Sequence, residues 1–322
     1  MTRRDFLTRS AIALAGGATL PRRLPAAPAA VPRGIPAVDT HTHFYDTGRP
    51  EGVPWPPRTD SLLHRPHLPP DFLRVTAATP VIGTVVVEAS EWAEDNQWVL
   101  DLAAWHPVIL GLVGNLRPGQ PAFAGQLRRF AAHPLFRGLR FRASDVKNTG
   151  QPELLADVRR LADADLSLDV VGNSSILAPT LRLAEAFPSL RIVIDHLPFR
   201  EWDGKPDELR ATLRPLAARR NVAVKISDVV RQVDGAIVDD PAFYRPALDA
   251  LVDLFGPDRI IYGSNWGVSE RVAPYAVVHG VVAEYFATRG REIAENYFWR
   301  NAHSFYRWVP RGAAAALPLN AP

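Results

Sequence analysis

From residue 37 onward the chain repeats one pattern: a short β-rich run, in most cases of valine and isoleucine, then a longer segment with helical spacing. Eight such runs can be read: AVDTHTH (37–43), GTVVVEAS (83–90), VILGLVGNL (108–116), FRGLRF (136–141), LSLDVVG (166–172), LRIVIDH (190–196), NVAVKIS (221–227) and RIIYGSN (259–265). They show little polar–apolar alternation, as expected of parallel strands buried on both faces. Segments between them, such as QPELLADVRRLADA and APTLRLAEAF, space their apolar residues as helices do. Eight strands separated by helices predict a (β/α)8 barrel of the TIM type. An open doubly wound sheet is the competing topology, but no glycine-rich phosphate loop supports it.

The N-terminus reads differently. MTRRDFLTRSAIALAGGATL combines an Arg3-Arg4 pair with a short apolar run, the pattern of a twin-arginine export signal over residues 1–30. Its apolar run is too short to span a bilayer. Residues 31–309 then form the barrel, and an Ala/Pro-rich tail, 310–322, is expected to be loose. Periplasmic or other extracytoplasmic delivery follows from this reading. The signal carries five arginines against one aspartate, so the formal charge of +3 becomes −1 without it. The high pI therefore belongs to the signal and gives no support for nucleic-acid binding. No later run suits stable membrane insertion. With no cysteine in the chain, disulfides, thiolate metal sites and cysteine nucleophiles are excluded. A small molecule is the expected partner, and a homo-oligomer is left open.

Barrel chemistry gathers where strands end, because the loops there form the open face. His41 and His43 end the first run; strand alternation puts both imidazoles on one side, aimed at the mouth. Glu88 follows an apolar VVV run and needs a metal, arginine or histidine partner if buried. Of Arg140 and Arg142, one is expected to face the mouth and suit a substrate carboxylate or oxyanion, the other to face solvent or a helix. Asp195 and His196 are expected on opposite faces, with His196 in the mouth. The seventh run ends in Lys225-Ile226-Ser227-Asp228 and the eighth in Asn265-Trp266. A long Pro-rich loop, 44–75, carrying Trp55, Arg58, His64 and His67, is placed to cover the open face.

In detail, VDTHTHFYD, GTVVVEASEWAEDNQWVLDLAA, FRGLRF, RIVIDHLPF, NVAVKISDV, FGPDRIIYGSNWGV and ENYFWRNAHSFYRW resemble, in order, the amidohydrolase-related group of metal-dependent hydrolases. That group, of the amidohydrolase superfamily, includes fuconolactonases, rhamnonolactonases and 2-pyrone-4,6-dicarboxylate lactonase. The resemblance implies a lactonase, a hydrolase opening the ester ring of a sugar-acid or similar small lactone. It makes His41 and His43, with Glu88, the ligands of a divalent ion, zinc first and manganese next, although metal-independent action also occurs in the group. It places His196 beside the carbonyl; Arg140, Arg142, Trp266 and Asp228 are expected against substrate from their places at the strand ends. Asn265 stands where the family has an aspartate acting as general base, and Gly267 where it has proline. An amide has no useful basicity. His196 is then the first choice of base, with Glu88 and Asp228 behind it. The alternatives are a metal-assisted lyase or decarboxylase, and a binding protein without turnover.

Overall fold

The computed structural model describes residues 34–196 and 205–319. The export segment lies outside the described residues. Eight parallel strands form one sheet: β1 (Ala37–Thr42), β2 (Val81–Val87), β3 (Ile109–Gly114), β4 (Phe136–Arg142), β5 (Ser167–Val171), β6 (Arg191–Asp195), β7 (Val222–Ile226) and β10 (Ile260–Tyr262). They neighbour one another in chain order, as right-handed β–helix–β units dictate. A small antiparallel hairpin, β8 (Arg231–Val233) and β9 (Ala236–Val238), interrupts the repeat after β7. Its two-residue turn is Asp234-Gly235, both with positive φ, as a type I′ turn requires.

The ring closes between the first and last strands. Thr42 bridges Trp266, the His43 N–H donates to the Trp266 carbonyl at 3.1 Å, and the Thr40 hydroxyl donates to the Tyr262 carbonyl at 2.5 Å. Asp39 fastens the same seam, accepting from the Ser264 N–H (2.9 Å), the Ser264 hydroxyl (2.5 Å) and the Tyr275 hydroxyl (2.8 Å). The fold is the expected (β/α)8 barrel.

Helices pack outside with one apolar stripe inward. The helix Pro152–Asp163 shows why: proline opens its first turn, and Leu154, Val158 and Leu161 fall on one buried face. Two boundaries differ from the sequence reading. The lid loop ends sooner, because Pro69–Thr76 is a helix whose Phe72 is buried. The tail is not loose as far as residue 319: Gly312–Ala316 forms a 3-10 turn, Ala314 is buried, and Arg311 donates to the Ala103 carbonyl at 2.8 Å. Among the described residues no helix is long and apolar enough to cross a membrane.

Candidate active site

At the C-terminal end of the barrel, His41, His43 and His196 form a buried cluster. The ring centroids of His41 and His43 lie 5.0 Å apart, and those of His41 and His196 4.2 Å. Asp195 and His196 do not take opposite faces as alternation predicts. Asp195 approaches His41 Nδ1 to 3.6 Å while the His196 ring packs on the same imidazole. The reason is backbone: His196 has φ 63°, and a left-handed residue breaks the two-residue period of a strand. Asp228 (φ 60°) and Asn265 (φ 59°) do the same after β7 and β10. Three non-glycine residues in this sparsely populated region at three strand ends mark a constrained site.

Asn265 bridges two partners. Its Nδ2 donates to Asp228 Oδ1 at 2.8 Å, which turns its Oδ1 toward His43 Nε2 at 3.1 Å. His43 Nδ1 faces the Val87 carbonyl at 2.9 Å. Burial first, then the charge of Arg140, lowers His43 to about 3, so the ring is neutral and carries one proton between two acceptors. His196 Nδ1 pairs with the Ser227 hydroxyl at 2.8 Å.

Glu88 lies across the mouth with both arginines. Arg140 donates to Glu88 Oε1 from Nε (3.0 Å) and Nη2 (2.9 Å), and Arg142 Nη2 reaches the same oxygen at 3.2 Å. The expectation that these arginines face apart is corrected: residues two apart on β4 share a face. Burial nevertheless raises the Glu88 carboxyl, against the pull of the two guanidiniums. Arg142 is partly exposed and lines an open cleft of about 650 Å³ with Pro54, Trp55, Ala89 and Glu91. Trp55 also packs edge-on to His43, at 6.0 Å, which brings the lid loop to the mouth.

Trp266 was expected against substrate but is wholly buried behind the site. It packs on Phe44, Phe72 and His67, and its indole N–H donates to Glu270 at 3.1 Å. His67, from the lid loop, holds the same glutamate at 3.0 Å, so it anchors the loop. His64 faces the Pro56 carbonyl and serves that loop's own conformation.

Beneath the histidines lies a charged layer that joins Asp195 and Lys225 to Asp169, a residue not singled out from the sequence. Lys225 Nζ sits 2.7 Å from Asp169, 2.9 Å from Asp195 and 3.3 Å from His41 Nδ1, and Tyr306 donates its hydroxyl to Asp169. The clue was a charged residue within or at the end of each of three consecutive apolar runs: Asp169 in LSLDVV, Asp195 in RIVID and Lys225 in NVAVKI.

The donors do not compose the expected ion site. Among the described residues no three His, Asp or Glu side chains converge to hold a metal. Glu88 is engaged by two guanidiniums, and His41 Nδ1 faces an ammonium rather than an acceptor within hydrogen-bond reach. A ligating imidazole ordinarily donates its second N–H to a carboxylate or carbonyl. In this arrangement His41, His43 and Glu88 do not fit a divalent ion.

The barrel, with polar residues of six strand ends meeting in its mouth, defines an enzyme of the barrel-hydrolase class. Residues 38–308 match the amidohydrolase family model, and the chain belongs to that family. It is similar to L-fucono-1,5-lactonase of Burkholderia ambifaria, 29% identical over 280 residues, covering 84% of this chain and 95% of that one. Among solved structures, an amidohydrolase from Burkholderia multivorans with bound zinc superposes with a TM-score of 0.75 at 24% identity, covering 85% and 99% of the two chains. A putative 2-pyrone-4,6-dicarboxylic acid hydrolase from Pseudomonas putida gives 0.64 at 22% identity, covering 85% and 98%.

Proposed function

We propose that this hydrolase opens the ring of a small polar lactone, a sugar-acid lactone such as the curated relative's L-fucono-1,5-lactone being the first candidate. The observation that carries the reading is the packing of His196 against His41 at 4.2 Å in a mouth rimmed by Arg140 and Arg142. An imidazole there can take a proton from water, while N–H donors of the rim receive the negative charge that develops on the carbonyl oxygen. Water adds to the carbonyl carbon, the ring C–O bond breaks, and the ring oxygen takes the proton back from His196.

His196 is the first choice of base, an imidazole packed against His41 at the mouth. Asn265 is an amide, and Glu88 is bound by both arginines. Asp228, one hydrogen bond from Asn265, keeps a carboxylate beside the family's usual position. That weakens the reason for a lyase or a turnover-free binder. Replacing His196 with Asn should lower kcat by about 10²-fold or more and remove a limb of the pH–rate profile. Full activity in that variant on a panel of sugar lactones would remove His196 from the mechanism. We further propose that Arg3-Arg4 directs export of the folded chain.

A further inference from the structure

The buried layer beneath the histidines has a geometry that bears on the reaction above. An ammonium has three donors and no acceptor. Lys225 has three neighbours in reach, Asp169 Oδ2 at 2.7 Å, Asp195 Oδ1 at 2.9 Å and His41 Nδ1 at 3.3 Å, and all four side chains are fully buried. The two carboxylates hold Lys225 charged against its burial. Asp195 stands 3.6 Å from His41 Nδ1, beyond hydrogen-bond range. Gly263 makes this arrangement possible: a Cβ there would lie 2.8 Å from His41 Cβ and 3.1 Å from Lys225 Cδ.

We infer that Lys225 is a positioning residue that fixes the tautomer of His41, leaving Nδ1 as acceptor and the proton on Nε2, where it is offered to the substrate. The Lys225 ammonium, 3.3 Å from Nδ1, has only donors to offer, so a proton on Nδ1 would face another N–H. Nδ1 faces the ammonium and accepts; Nε2 must carry the hydrogen. Nε2 is buried with no hydrogen-bond partner among the described residues. On the hydrolase reading, the carbonyl oxygen of the lactone supplies that partner, most strongly once it becomes an oxyanion. The same tautomer withholds the lone pair that a metal would need.

The side-chain ¹⁵N spectrum of the wild-type protein tests this without any assay of activity, with His41→Gln used only to assign the ring. The expected result near neutral pH is a protonated Nε2 and a bare Nδ1; a proton on Nδ1 overturns the proposal. Lys225→Met should move the proton to Nδ1, toward Asp195, and lower kcat by at least 10-fold with little change in KM. Should two uncompensated carboxylates prevent folding, Asp169→Asn/Lys225→Met relieves one charge and carries the same expectation. An unchanged His41 tautomer in a folded variant refutes the role of Lys225. A wild-type spectrum as expected, together with no turnover of any lactone, would sink the lactonase reading and leave this one standing.

Discussion

Replacing Asn265 with Asp restores the carboxylate usual in the family, yet the geometry predicts a loss. The amide does two jobs that a carboxylate cannot combine. Its Nδ2 donates to Asp228 at 2.8 Å, and its oxygen faces His43 at 3.1 Å. In the variant two carboxyl oxygens would meet at that first distance, and both cannot stay ionised. The lost bond is one to a charged acceptor, worth about 1.5–3 kcal/mol, and partial exposure of Asp228 puts the cost toward the lower end. Carried into the transition state, this is roughly a 10-fold to 100-fold fall in kcat/KM, with a melting temperature lower by a few degrees. Steady-state kinetics on sugar lactones and thermal unfolding would measure both. Asn265→Asp/Asp228→Asn exchanges donor and acceptor and should recover most of the loss. A single Asn265→Asp variant that gains 10-fold in rate at unchanged stability would refute the reasoning.

Three further outcomes are expected. His279 is buried against Tyr262 and Phe298, and burial lowers it to about 4. Its unfolded value near 6.5 is higher, so its neutral form stabilises the fold above that pH and the contribution is lost as pH falls toward 4. The total is about 3 kcal/mol. His279→Leu should therefore flatten the difference between urea unfolding at pH 8 and pH 5 by about 2 kcal/mol, and an identical pH dependence would contradict it. Chelator treatment should leave lactonase activity intact, with zinc well below one ion per chain by elemental analysis; one tight ion lost in His41→Ala/His43→Ala would reverse this. Lysines at positions 3 and 4 should hold precursor in the cytoplasm, as fractionation would show, and unchanged delivery would dismiss the export signal.

Much of the fold was legible because most of the eight parallel strands write themselves as Val/Ile-rich runs with helical segments between them. The hairpin after β7 was missed although Asp234-Gly235 is a strong turn signal, since its flanking strands are only three residues long. His41 and His43 could be placed from alternation alone. Asp195 and Trp266 could not: left-handed backbone at His196 and Asn265 cancels the period on which the inference depends. Glu88 was recognised as needing a partner, but which partner depends on contact across β2 and β4, some fifty residues apart. The Lys225 layer required seeing that charges on three neighbouring strands converge, with Asp195 opposite Lys225 and Asp169 opposite Val193.

The left-handed conformations at His196, Asp228 and Asn265 also constrain how this chain can vary. At such positions the backbone screens candidate residues before chemistry does. Asparagine and aspartate are among the few non-glycine residues that tolerate it. An exchange between the two at position 265 is therefore open to the backbone, and its cost falls on the hydrogen bonds to Asp228 and His43. Mutational drift through β-branched or bulky side chains is closed there, whereas the acid–amide step stays open. For a laboratory recasting the chemistry of this barrel, positions 228 and 265 offer a small alphabet that can be searched completely, in pairs, without redesigning a loop.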